Sequence, residues 1–114
     1  VHKSNPGLYE KIQIVSASIT NTSANKTQHY YNITAYVQNL GSSTVQINSL
    51  SVINASNGNA IYSNSSISKT IHSGEVAEVQ AIGSVSSTIP AGTPVIIEVT
   101  TIHGVQATYQ VTWP

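Results

Sequence analysis

An all-β fold, an immunoglobulin-like β-sandwich of seven or eight antiparallel strands, is what this sequence predicts, and three observations predict it. Apolar and polar residues alternate with a period of two along nearly the whole chain, and no stripe at helical spacing interrupts them. Ile and Val number 14 and 12 against three Leu, a bias toward β-branched side chains that suit a pleated surface. Turn-forming residues punctuate the apolar runs at intervals of about 8 to 12 residues, the spacing of short strands in a sandwich. At 114 residues the chain is long enough for one core and too short for two.

Taken in order, 1–7 is polar, contains Asn5-Pro6-Gly7, and reads as a linker from an N-terminal segment; the sandwich domain is expected over 8–114. A first strand is expected from Leu8 to Ile19. From Tyr30 to Gln38, Tyr31, Ile33, Ala35 and Val37 share one parity and Tyr30, Asn32, Thr34, Tyr36 and Gln38 the other, giving a buried and a wet face. Asn39-Leu40-Gly41-Ser42 ends that strand. The next run places Val45 and Ile47 on one parity and Leu50 and Val52 on the other, which predicts a bulge near Asn48 and Ser49. Asn57-Gly58-Asn59 predicts a hairpin through a primed turn.

Short strands are then expected at Ala60–Ser63 and Ser66–His72, with Ser73-Gly74 turning the chain into Glu75–Ile82. Ile89-Pro90-Ala91-Gly92 turns it again. Thr93–Ile102 buries Val95, Ile97 and Val99; a tight His103-Gly104 turn reverses it; and Val105, Ala107, Tyr109, Val111 and Trp113 alternate to the C-terminus, with Trp113 on the inward parity.

Composition excludes several functions. Only 7% of residues are charged, four Lys and four Glu with no Arg or Asp, so no basic stripe meets nucleic acid and no acidic cluster holds calcium. Without Cys there is no disulfide frame, thiol chemistry or Cys-containing zinc site. The four His, at 2, 29, 72 and 103, form no His-X-His pair. No Gly-X-Ser-X-Gly elbow occurs, the seven Gly are scattered among turns, and Glu75 and Glu78 fall on opposite faces of a strand. No catalytic, cofactor or metal site is expected, and the chain reads as a non-enzyme. With only Glu10, Glu75, Glu78 and Glu98 to protonate, it is also expected to tolerate acid.

Asn-X-Ser/Thr acceptors occur at Asn21, Asn25, Asn32, Asn54 and Asn64, which makes these glycosylation candidates and points to an extracytoplasmic surface protein. A cysteine-free glycoprotein suits a microbial cell envelope better than an animal secretory pathway. Apolar side chains also fall on outward parities: Tyr30 and Tyr36 flank Asn32, and Ile96 and Ile102 lie opposite Val95, Ile97 and Val99. These four are the interface candidates, and open sandwich edges offer strand addition as a second means of contact. A charge at Ile96 or Ile102 is expected to break association without unfolding the domain.

The order of these features resembles a known group. The polar linker, the strand ending in Asn39-Leu40-Gly41-Ser42, the mid-chain turn, Ile89-Pro90-Ala91-Gly92 and the closing hairpin over His103-Gly104-Val105 look like the soluble, archaellin-like β-sandwich of archaellum (archaeal flagellum) stator proteins of the FlaF/FlaG type. The resemblance spans about Ile12 to Trp113. It implies a structural and binding module with no catalytic residues, which anchors the motor in the envelope by binding surface-layer (S-layer) protein. It further implies pairing as a homodimer, contacts with other archaellum components, and a place between membrane and S-layer, held by an N-terminal membrane helix that this stretch does not contain. Two alternatives stand beside it. One is an archaellin or type IV pilin-like filament subunit, whose contacts must propagate rather than close. The other is a carbohydrate-binding adhesive sandwich that stacks Tyr30, Tyr36, Tyr62 and Trp113 on sugar rings.

Overall fold

The computed structural model describes residues 10–23, 29–85 and 88–114. Eight strands follow one another: β1 (Ile12–Asn21), β2 (Tyr30–Asn39), β3 (Val45–Asn54), β4 (Ala60–Asn64), β5 (Lys69–Ile71), β6 (Val76–Ser84), β7 (Pro94–Thr101) and β8 (Gln106–Thr112). All pairings are antiparallel, in a three-stranded sheet of order β1-β2-β6 and a five-stranded sheet of order β4-β3-β7-β8. β5 pairs with the first half of β3 while β4 pairs with the second half, so the two share one edge. The expected all-β, immunoglobulin-like sandwich is the fold.

The period-two pattern builds the core directly. β2 runs down the middle of the smaller sheet and turns Tyr31, Ile33, Ala35 and Val37 inward, all buried. They meet Val45, Ile47, Leu50 and Val52 of β3 and Val95, Ile97 and Val99 of β7 in one continuous cluster. Full burial of side chains this size contributes about 1.5–3 kcal/mol each. Trp113 closes the far end, buried against Tyr31 with ring centroids 4.5 Å apart and a 46° tilt.

Both parity shifts in the sequence are bulges. In β3 the register with β7 slips between Ile47 and Ser49, where the sequence predicts it. β1 carries a second slip, between Ile14 and Ser16, because Ile12 and Ile14 face inward on one parity and Ala17 and Ile19 on the other. Val15 is pushed outward there.

Strand ends shift by a residue or two in several places, and two strands and one turn differ from expectation for a visible reason. β1 starts at Ile12 rather than Leu8, since Glu10 turns inward to hydrogen-bond elsewhere and the ladder opens at Ile12 opposite Asn39; positions 8 and 9, and the expected linker 1–7, lie outside the described residues. Of the expected Ser66–His72 strand only Lys69–Ile71 pairs. Asn64 turns the chain first, its Oδ1 accepting the Ser66 N–H at 2.9 Å. The β3–β4 hairpin is no two-residue primed turn, because four residues, 55–58, separate Asn54 from Asn59, whose carbonyl accepts the Asn54 N–H at 2.8 Å. Only Gly58 has positive φ, +75°, and its N–H closes a wider loop onto the Asn54 carbonyl at 2.8 Å.

Candidate interaction surface

Strand geometry sorts the surface into two unlike faces. On the outer face of the five-stranded sheet the side chains are Ser, Thr and Gln with few exceptions. Ser51 and Ser63 hydroxyls lie 3.1 Å apart across β3 and β4, and Gln106 donates to Glu98 at 3.3 Å. Ile96 is half-buried here, because it pairs directly with Ile53 of β3. Ile102 is exposed but lies past the end of β7, in the turn before β8. The two isoleucines are six residues apart, about 20 Å along an extended chain, and make no common patch.

The outer face of the three-stranded sheet is different. Of the exposed large apolar side chains, Tyr30, Tyr36, Val76, Ile82 and Val15 all belong to β1, β2 or β6. Register places them in two groups: Tyr36 stands between Ser16 and Glu78 with Val76 diagonal to it, and Ile82 pairs with Asn32 diagonal to Tyr30. Between them lies an amide ladder in which Gln80 Nε2 donates to Asn32 Oδ1 at 3.0 Å, with Thr34 alongside. Glu78 is the only charged residue in these three strands. Val76 and Ile82, the latter 63% exposed, are functional candidates that the sequence reading placed in a strand but did not count as outward. Their signal was present, since both share the parity opposite Ala77, Val79 and Ala81.

Tyr36 is held in place on this face, its hydroxyl donating to Glu78 Oε2 at 3.0 Å. That hydrogen bond, then the charge of the carboxylate, then slight desolvation raise the phenol above its ordinary value of 10.0. Because the folded chain holds this proton more tightly than the unfolded one, the contribution to stability is present below pH 10 and is lost as pH rises through the raised value. In Glu78→Gln, the alkaline titration of the Tyr36 ring, followed by NMR chemical shift, moves down toward 10; an unmoved titration refutes the Glu78 contact.

The glycosylation candidates fall into two kinds. Asn21, Asn54 and Asn64 each end a strand, and each turns its side-chain oxygen back onto the N–H two residues on, at 2.9 Å to Ser23, Ser56 and Ser66. Asn39 and Asn57 do the same without an acceptor motif. Such Asx-turns are a reason for Asn-X-Ser triplets independent of any sugar. Asn32 is half-buried in the middle of β2; Asn25 lies outside the described residues. Of the sugar-stacking candidates, Trp113 is buried and Tyr62 half-buried, its ring lying over Gly83, so Tyr30 and Tyr36 alone present open rings.

At the end of the sandwich where β1 begins, Glu10 is buried. Its Oε1 accepts the Thr101 hydroxyl at 2.7 Å and its Oε2 meets His103 Nδ1 at 2.5 Å, so one of the four carboxylates is structural. No group of three or more His, Cys, Asp or Glu able to hold a metal ion occurs among the described residues.

No family model matches the chain, and no curated protein matches its sequence. Solved structures do match. The archaellum periplasmic stator protein FlaG from Sulfolobus acidocaldarius superimposes with a TM-score of 0.58 at 22% identity, over 90% of this chain and 99% of that one. This chain has the stator fold. The FlaF–FlaG stator complex of the same organism matches at 20% identity and a TM-score of 0.56, over 96% of this chain and 92% of the other. The resemblance read from the sequence is borne out at the level of fold. A β-glucuronidase of glycoside hydrolase family 2 also matches, with a TM-score of 0.60 at 12% identity. It covers 89% of this chain but 12% of the enzyme, so that likeness is to one sandwich within a much longer protein. The two stator structures are matched over nearly their whole length.

Proposed function

We propose that this chain is a non-enzymatic structural and binding module of an archaellum stator, placed outside the cell membrane, where it holds a static element by gripping S-layer protein and other archaellum components. The observation that carries this reading is the outer face of β1, β2 and β6: an aromatic and aliphatic surface, almost free of charge, on a sandwich of the stator fold. Clustered apolar surface of this kind marks contact with another protein. The sequence 1–7 serves in this reading as the tether to a membrane helix. Among the described residues no helix is long and apolar enough to cross a membrane. Asn21, exposed, and Asn54 and Asn64, half-buried, all at strand ends, are the acceptors we assign to glycans.

Immobilised chain should retain purified S-layer protein, and Tyr30→Lys with Tyr36→Lys should weaken that retention at least tenfold while thermal unfolding stays within a few degrees of the parent, as expected for exposed anchors. No retention by the parent chain refutes the reading; retention indifferent to both substitutions removes this face from it.

A further inference from the structure

The two sides of the sandwich are closed unequally. On one side β1 and β8 run close together, and the bulge at Val15 spoils β1 as a template for another strand. On the other side the five-stranded sheet ends in β4 and β5, strands of 5 and 3 residues interrupted by the 65–68 connection, too short to recruit a partner. Facing them is β6, nine residues with no proline, no lysine and no bulge in its pairing with β2.

Its hydrogen-bonding parity can be fixed. Asn39 N–H donates to the Glu75 carbonyl and Val85 N–H to the His29 carbonyl, both at 2.9 Å, so the odd-numbered residues of β6 use their backbone groups toward β2. The even-numbered ones, Val76, Glu78, Gln80 and Ile82, direct N–H and C=O to the open edge. Along that edge runs a groove of about 400 Å³, lined by Asn64, Ile67, Lys69, Glu78, Val79 and Gln80 among others.

We infer that β6 is a self-recognition edge, on which β6 of a second copy adds antiparallel about a two-fold axis and joins the two smaller sheets into one six-stranded sheet. The side chains choose the occupant. With the axis passing at Val79, Val76 faces Ile82 of the second copy and Ile82 faces its Val76, covering the two most exposed aliphatic residues of this sheet. In the same register Glu78 faces Gln80 of the second copy, an amide for each carboxylate. A shift of the axis by one residue toward the N-terminus sets the two Glu78 carboxylates against each other. A shift the other way leaves Glu78 against Ile82 and Val76 against Ser84. The inward residues of the added strand, Ala77, Val79 and Ala81, are small and would lie over the groove. This inference goes beyond the reading above: it assigns the edge of β6 to a second copy and leaves the outer Tyr30 and Tyr36 for other partners.

The test uses the 114-residue chain, which has no native cysteine. The parent should sediment as a dimer at micromolar concentration. Gln80→Pro removes an N–H that β2 does not use, so it should halve the mass while circular dichroism keeps the β spectrum. Ile82→Lys should do the same, and Ile96→Lys and Ile102→Lys should leave the dimer intact. The double variant Val76→Cys with Ile82→Cys puts paired positions about 5.5 Å apart, within disulfide range, and should oxidise to a covalent dimer. A monomeric parent, a folded Gln80→Pro or Ile82→Lys variant that stays dimeric, or a double-cysteine variant that yields no covalent dimer overturns the inference. S-layer retention by a chain that fails these tests would leave the stator reading standing, and a covalent dimer that retains no S-layer protein would leave the seam standing alone.

Discussion

Asn39→Ala should lower the free energy of unfolding by about 3 kcal/mol or more, which in a domain of this size moves the melting midpoint down by on the order of 15 °C. Asn39 is the last residue of β2 and is fully buried. Its Nδ2 donates to the Ser43 carbonyl at 2.8 Å and to the Ile71 carbonyl at 2.9 Å, and its Oδ1 accepts the Gly41 N–H at 2.9 Å. One amide thus ties the turn after β2 to β5 in the opposite sheet. Alanine leaves three backbone groups without that partner, and each buried polar group so stranded costs about 1–3 kcal/mol. Asn39→Asp separates the two halves of the effect, because aspartate keeps the acceptor for Gly41 and loses both donations. It should be nearly as damaging as alanine. Urea unfolding monitored by circular dichroism reads both variants; a loss under about 1 kcal/mol in Asn39→Ala would show that the amide does not join the sheets.

How much of this was legible in the chain depends on the range of the signal. Strand alternation is local, so β2, β7 and the inward faces of β3 and β8 could be read directly. The β3 bulge was also legible, because Val45 and Ile47 differ in parity from Leu50 and Val52. The same signal lies in Ile12, Ile14, Ala17 and Ile19, but one expected long strand from Leu8 to Ile19 hid it. Asn39 reads as a turn residue from sequence; that its amide reaches Ile71 depends on how the sheets stack, which no window of residues contains. Glu10 and His103 are 93 positions apart and meet only because β1 and the β7–β8 turn share one end of the sandwich.

For the interaction surface the limit was which strands stand side by side. Tyr30 and Tyr36 could be found by parity alone, and so could Ile96. Nothing in the sequence says that Ile96 lies against Ile53, or that β6 flanks β2 on the side opposite β1. Once β6 is placed there, Val76 and Ile82 join Tyr30 and Tyr36 on one face of the smaller sheet.

Gly83→Ala should destabilise the fold by about 2 kcal/mol, in the range of overpacked sites. Gly83 faces inward near the end of β6, where the ring of Tyr62 from β4 crosses the gap between the two sheets. A Cβ at position 83 would come within 2.9 Å of Tyr62 Cζ and nearer still to Cε1, closer than real carbon atoms approach. The backbone at Gly83 is not in the left-handed region, so the glycine is required by the ring and not by its φ. That distinction makes a sharp test possible. Tyr62→Ala alone should cost about 3 kcal/mol for the lost aromatic packing. If the ring is the reason for the glycine, adding Gly83→Ala to Tyr62→Ala should cost almost nothing further, and the methyl should partly fill the space left. The double variant would then be more stable than the sum of the single losses predicts by about 2 kcal/mol, a coupling expected only for residues in direct contact. Additive losses would mean that strand propensity, not Tyr62, sets the residue at 83, and that the two sheets are not joined at this point.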